Sequence, residues 1–441
     1  MKKTLKVVLF AAAVMMMVTG CAKNEGKGPS AEKVTVNLWS FTDEIPGMID
    51  KYKSTHPGFD LNTTIIATTE GAYQPALDQA LQNGEVDIYG AEAAFILKYA
   101  QGDMSSYAVP YEDLGIDVKD ALAKADIASY TVDIGTNPQG KLVGLGYQAT
   151  GGCFIYNRTV AKKAFGTDDP KKVQEAIGGG SGSWDKFWDA AKKCADVGCA
   201  IVSGDGDIWH AIENSSDKGW IVNEKLYIDP KREAFLDVSK NLTDKGWSNG
   251  TQDWTDAWYA DMAEIGSKPV LGFFGPAWLI NYVMAGNSKD TYGDWAVCNS
   301  PIGFFWGGTW VLASKTAAKD KNKKPIIKGI IEWITLDATK DGLLYAWANG
   351  TLNGPGGTKD TVSSGVVMKM SDGTLEFLKG QDMFDYFVPA GAYANGKNLT
   401  QFDEEINQIW RDQVRQYAAG NKSRADAIKD FKQTVADKLG F

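Results

Sequence analysis

Val34-Thr35-Val36-Asn37-Leu38-Trp39-Ser40-Phe41-Thr42-Asp43 is the stretch on which the fold of this chain turns. From Val34 to Trp39 apolar and polar residues alternate, the period of a strand with one buried face. Thr42, Asp43 and Pro46 then supply helix-start chemistry, and Ile45, Met48, Ile49 and Tyr52 recur at helical spacing. The alternation continues outward. Leu61 to Ala67 is β-branched and strand-like, Tyr73, Leu77, Ala80 and Leu81 mark a second helix, Val86 to Tyr89 a third strand, and 91–101 another helix. Strands alternating with helices predict a parallel-type α/β layer.

A second α/β stretch begins near Lys141-Leu-Val-Gly144 and Cys153-Phe-Ile-Tyr156. Gly178 to Ser183 reads as a loop, with Ser183 as N-cap of a helix whose Trp184, Phe187, Trp188 and Ala191 form a core stripe. Ala200 to Ser203 reads as a short strand; Glu233 to Leu242 and Trp254 to Ile265 read as helices. Val270 to Gly275 is a strand running into Pro276, the start of a further helix. Trp295 to Asn299 and Thr309 to Ala313 are strands, Ile326 to Ala338 is an amphipathic helix, and helices dominate from Leu343 onward.

The chain has 441 residues, which at roughly 100–200 per domain predicts two large domains or one long two-lobed body. Asp and Glu total 55 against 46 Lys and Arg, for a net charge of −9. So acidic a body offers no basic face for phosphate, which excludes a nucleic-acid partner. There are 15 Trp and 17 Tyr but only two His, His56 and His210. That scarcity argues against His-rich metal sites and His-based triads. No zincin, P-loop or nucleophile-elbow signature occurs.

The N-terminus carries an address. Lys2, Lys3 and Lys6 precede an unbroken apolar run from Val7 to Val18, a charged n-region and short h-region of a secretory signal. The run ends in Val18-Thr19-Gly20-Cys21, which resembles a bacterial lipobox with Thr19 as a mild departure. Residues 1–20 are therefore expected to be a cleaved signal peptide, and Cys21 the acylated residue. Residues 21–32 then form a flexible tether rich in Gly, Lys, Glu and Ser. The expected location is the outer face of the bacterial cell membrane, held by the lipid. Four cysteines remain; Cys194 and Cys199 suit either a disulfide or two buried thiols, and both readings stay open.

The informative chemistry is aromatic. Trp39-Ser-Phe41-Thr-Asp43 follows the first strand and Tyr89-Gly-Ala-Glu92 the third. Asp205-Gly-Asp-Ile-Trp209-His210, Phe274-Gly-Pro-Ala-Trp278 and Phe305-Trp306-Gly307-Gly-Thr-Trp310 repeat the theme. Ligands in open α/β sheets bind outside the carboxyl ends of strands. A pyranose packs its C–H face on an aromatic ring and offers a fringe of hydroxyls, so Trp beside Asp, Glu or Gln meets both demands. One Trp alone serves a core equally well; five such clusters at strand-to-helix turns point to a sugar cleft.

In their order and spacing these pieces resemble the carbohydrate-binding lipoproteins of bacterial ABC importers, the extracellular solute-binding proteins of family 1 (maltose-binding-protein-like). The resemblance rests on the lipobox, Val34–Trp39 with its helix, Gly140-Lys-Leu-Val-Gly-Leu145, Phe154-Ile-Tyr-Asn157, Trp184-Asp-Lys-Phe187, Gly275-Pro-Ala-Trp278 and Trp306-Gly-Gly-Thr-Trp-Val-Leu-Ala313. It implies an α/β, two-lobed periplasmic-binding-protein-like fold, each lobe a mixed sheet flanked by helices, with a hinged cleft between. It further implies lobe 1 from 33–147 and 298–348 and lobe 2 from 148–297 and 349–441, with crossovers near 146–151, 297–301 and 348–352. The cleft residues carried over are Trp39, Phe41, Asp43, Glu92, Gln148, Asp205, Trp209, Trp278, Trp306 and Gly307; Gln148 departs from the commoner acidic or aromatic residue. The implied function is capture of an oligosaccharide and delivery to an ABC permease, without cofactor, metal or catalysis. Malto-oligosaccharides are suggested by the family alone. Two rivals remain: an exported glycoside hydrolase, or a receptor of this fold for a non-carbohydrate solute.

Overall fold

The structure, a computed structural model, describes residues 33–68 and 71–441. The expected signal peptide, Cys21 and the expected tether lie outside the described residues. Eight strands build the two principal sheets: β1 (Val34–Ser40), β2 (Phe59–Ile65), β3 (Ile88–Glu92), β4 (Gly144–Gly146), β5 (Cys153–Asn157), β6 (Gly272–Gly275), β7 (Trp295–Cys298) and β8 (Thr309–Ala313).

The first sheet has the order β2-β1-β3-β8-β4. β1 runs parallel to β2 and β3, as the strand–helix alternation predicts, while β8 pairs antiparallel with β3 and β4. The sheet is mixed because β8 re-enters from the other body. Val36 and Leu38 of β1 are fully buried, against Ile45, Met48 and Ile49 of the helix Glu44–Thr55 and Ile330, Ile331 and Ile334 of the helix Lys323–Thr335.

The second sheet has the order β6-β5-β7, all antiparallel. Every residue of β5 is buried, which is why its sequence is a near-continuous apolar run. The helices Pro230–Asp244, Asp403–Ala418 and Arg424–Leu439 close over a core of Trp209, Trp220, Phe235, Trp410 and Phe431.

Three stretches of chain lie side by side between the sheets. Gly152 donates its N–H to Phe304 at 2.9 Å and Trp306 to Thr150 at 3.1 Å. Ala149 donates to Thr361 at 3.1 Å and Ser363 to Tyr147 at 3.0 Å. Residues 361–363 thus run beside 147–149, and Ala348, near which the resemblance puts a crossover, ends the helix Leu343–Ala348 packed on Lys323–Thr335.

Some elements differ from the sequence reading. Ala200–Ser203 makes only isolated parallel bridges, Ala200 to Val270 and Val202 to Ser248. β3 runs through Glu92, leaving a helix only over Ile96–Ala100. The helix expected from Trp254 spans Asp256–Met262, and Trp254 stands before it in the left-handed region at φ 65°. After Pro276 the chain forms a π-helical turn, Leu279–Met284. Of the expected aromatic stripe, Phe187 is buried, whereas Trp184 and Trp188 are half-buried and stacked on each other, with Trp247 on Trp188. Cys194 and Cys199 are free, buried thiols. Among the described residues no helix is long and apolar enough to cross a membrane.

Candidate functional site

A cavity of about 1020 Å³ opens where the carboxyl ends of the first sheet meet the second body. Phe41 reaches it from the turn after β1, Glu92 from the end of β3, Gln148 from the first passage, and Trp306 and Gly307 from the second. The other body contributes His210 and Glu213 of the helix Asp205–Glu213, Trp254, Trp278, and Asp403, Glu404, Asn407 and Arg411 of the helix Asp403–Ala418.

One wall is aromatic. The Trp306 and His210 rings stack with centroids 3.6 Å apart and planes 13° from parallel. Trp278 meets Trp306 edge-on at 4.7 Å and donates its indole N–H to the Trp306 carbonyl at 3.1 Å. Trp254, 46 % exposed, lies parallel to Trp278 at 6.1 Å. A left-handed backbone at a residue other than Gly costs roughly 1–2 kcal/mol. Trp254 carries that cost in a conformation that leaves its ring at the cavity mouth. Gly307 has φ 71°, and a Cβ there would stand 3.3 Å from the Trp278 ring, so glycine answers both backbone and packing.

The rest of the lining is polar. Glu92 accepts from the Ala94 N–H at 2.8 Å; burial, with Glu404 and Glu213 nearby, pushes its carboxyl up to about 7. Burial likewise carries Glu213 to about 7 and Asp403 to about 6. Glu44, which accepts from the Tyr147 hydroxyl at 2.6 Å, is also raised, by burial first. Gln148 is buried and donates to Asp360 at 2.9 Å; burial pushes Asp360 up to about 7.

Beneath the aromatic wall Arg411 forks onto Asp253 at 3.0 and 3.3 Å, with Asp205 at 3.6 Å. Burial alone would raise Asp253, yet His210 and Arg411 hold its carboxyl well below the usual carboxylate range. Burial keeps His210 below its ordinary value, and therefore neutral.

Of the ten residues expected in a cleft, Phe41, Glu92, Gln148, Trp209, Trp278, Trp306 and Gly307 line this cavity. Trp209 does so marginally: it is 1 % exposed and its ring lies against Phe235 at 4.9 Å. Trp39, Asp43 and Asp205 fall outside the lining. Trp39 packs on the cluster holding Tyr73 and Phe95, Asp43 is exposed ahead of its helix, and Asp205 anchors Arg411 and accepts from Ser239 at 2.7 Å. Among the described residues no group of three or more His, Cys, Asp or Glu is placed to hold a metal ion.

A family model described as bacterial extracellular solute-binding protein matches residues 47–324. The chain belongs to that family. Among curated proteins no sequence match is found. Solved structures of the family share its fold: one titled extracellular solute-binding protein family 1 superposes with a TM-score of 0.73 at 19 % identity, over 92 % of this chain and 99 % of that one. The galacto-N-biose/lacto-N-biose I-binding protein of the ABC transporter from Bifidobacterium longum, solved with lacto-N-biose, gives 0.67 at 17 % identity, over 92 % and 97 %. An ABC substrate-binding protein from Listeria monocytogenes, solved with cycloalternan, gives 0.66 at 14 %, over 93 % and 100 %.

The family's two-lobed α/β architecture accounts for a cavity drawing on both bodies. Sequence reasoning did not single out Trp254, Glu213, Glu404, Asn407 and Arg411. Trp254 carried a signal, an aromatic beside Asp253 next to a helix start, but was absorbed into the helix. The residues of 403–411 repeat at helical spacing, and no local pattern separates a cleft-facing polar stripe from a solvent-facing one.

Proposed function

We propose that this protein is the receptor of an ABC importer, lipid-anchored at Cys21, that captures an oligosaccharide between its lobes and delivers it to the permease without making or breaking a bond. The observation that carries the reading is the mixed lining: Trp254, Trp278 and Trp306 together with carboxyl and amide groups, around about 1020 Å³. Rings supply faces for the C–H surface of a pyranose, and Glu92, Glu213 and Asn407 supply partners for its hydroxyls. The sugars bound in the Bifidobacterium and Listeria proteins support the same class.

The proposed lobes are 33–147 with 298–348 and 148–297 with 349–441, hinged where the chain crosses near 146–151, 297–301 and 348–352. Incubation with mixed glycans tests the reading. A receptor shows a raised melting temperature and no new reducing ends; appearance of reducing ends would make it a hydrolase. The anchor has its own test. Acylation needs the thiol, so Cys21→Ala should give uncleaved precursor or shed protein, and a cleaved variant still in the membrane fraction would contradict it.

A further inference from the structure

Five carboxyl groups of the lining make no direct ion pair, although the charges of Arg232 and Lys98 reach three of them. Glu44, Glu92, Glu213, Asp403 and Glu404 line the cavity, and among the described residues none of them makes an ion pair. Their hydrogen-bond donors are neutral: the Tyr147 hydroxyl for Glu44, the Ala94 N–H for Glu92, the Asn407 amide for Glu213, the Thr400 hydroxyl for Asp403 and the Gln74 amide for Glu404. The two arginines that reach the cavity are committed elsewhere, Arg411 to Asp253 and Asp205 and Arg415 to Asp412 at 3.1 Å.

The aromatic part of the lining suits a cation. Trp254, Trp278 and Trp306 line the same cavity, and indole rings attract positive charge over their faces. Independently, His210 is only 7 % exposed and lines the cavity, and neither of its buried ring nitrogens has a hydrogen-bond partner. Its Nε2 stands 3.4 Å from Asp253, so with the proton there Nδ1 keeps a lone pair for a donor. A hydroxyl-only ligand would strip water from the carboxyls without balancing their charge, and an anionic ligand would be repelled.

We propose that the captured solute carries protonated amines, as an amino-sugar oligosaccharide does, seated against the carboxyl groups and Trp rings of this one cavity. This rests on the oligosaccharide reading above. A polyamine offers the same ammonium chemistry without the sugar.

Proton linkage gives the proposal a second signature. Glu92, pushed by burial to about 7, is faced by Glu404 and Glu213; Glu213, also about 7, by Arg232, Asp403 and Arg411. Asp403, at about 6, is faced by Arg232; Glu404, raised by burial, by Lys98 and Glu405; and Glu44 by Asp43. A bound ammonium favours the ionised carboxylates and lowers these values, so its binding releases protons; a neutral ligand buries them further and takes protons up.

The test is calorimetry on the full chain at about pH 6.5 in two buffers of different ionisation enthalpy. The probes are the β-1,4 glucosamine trimer with free amines, its N-acetylated form, cellotriose and spermidine. The glucosamine trimer is expected to bind at least about tenfold tighter than either neutral trimer, with net proton release. That preference should weaken in about 0.5 M salt and shrink in Glu92→Gln and Glu404→Gln, which keep side-chain volume. Equal or tighter binding of a neutral trimer would overturn the proposal and leave the oligosaccharide reading intact. Spermidine binding with no trimer bound would overturn the oligosaccharide reading and leave the ammonium site standing. Binding of neither amine would overturn the ammonium site.

Discussion

Trp209 and His210 are neighbours in sequence with opposite fates. Successive residues of an α-helix are rotated by about 100°, so one ring enters the second body's core against Phe235 and the next stacks on Trp306. The cluster 205–210 was legible as a place where the chain meets the cleft; which ring turns inward depended on what packs against the helix from elsewhere. Trp306 and Gly307 were more legible, because small residues after an aromatic mark backbone that something approaches closely. Truncation separates the two kinds of Trp. Trp306→Ala should lower oligosaccharide affinity about thirtyfold, the ~2 kcal/mol of a stacking hot spot, with the fold retained because the ring is half-buried at the cavity. Trp209→Ala should instead lower unfolding free energy by about 3–5 kcal/mol, as large core truncations do. Denaturant titration and binding calorimetry on both variants check this, and exchanged phenotypes would contradict the assignment.

At the scale of elements, strands and their order of appearance were legible because period two and buried apolar runs are local signals. β8 was legible as a strand but not as an antiparallel insertion between β3 and β4, since pairing partners such as Trp310 and Gly146, far apart in the chain, leave no local trace. The helix Asp403–Ala418 shows the same limit: Ile406, Trp410 and Val414 announce its buried face, while its acidic face gives no sign that it borders a cavity. That face has a measurable consequence. Burial holds Glu92, Glu213, Asp207 and Asp360 at about 7 and Asp403 at about 6, all above their unfolded values. Between about pH 4 and pH 7 the folded state therefore holds more protons on these groups, and stability falls as pH rises. His210, kept neutral by burial, acts in the opposite sense, but it is one group against five. The melting temperature of ligand-free protein should fall from about pH 5 to pH 7.5, and Glu92→Gln should flatten the slope, by about 1 kcal/mol or more in stability. A melting temperature that rises across that range would contradict the charge assignment.

For the whole molecule, alternation of strands and helices made an α/β layer legible, length suggested two large bodies, and the two-lobed binding fold came through the family resemblance. The run of 361–363 beside 147–149 was not legible, because pairing of Ala149 with Thr361 and Ser363 with Tyr147 joins segments over two hundred residues apart. Three adjacent passages under a cavity that draws on both bodies are the geometry of hinge closure. X-ray scattering should therefore give a smaller radius of gyration with saturating ligand than without, and an unchanged radius would indicate a rigid pocket. The central claim, a sugar held against the Trp wall, is tested most directly by calorimetric titration of an oligosaccharide panel into the wild type and Trp278→Ala. At least one member should bind the wild type near micromolar affinity, about 8 kcal/mol, and Trp278→Ala about thirtyfold more weakly. A panel in which nothing binds, or a tight ligand that Trp278→Ala binds as well as the wild type does, would contradict it.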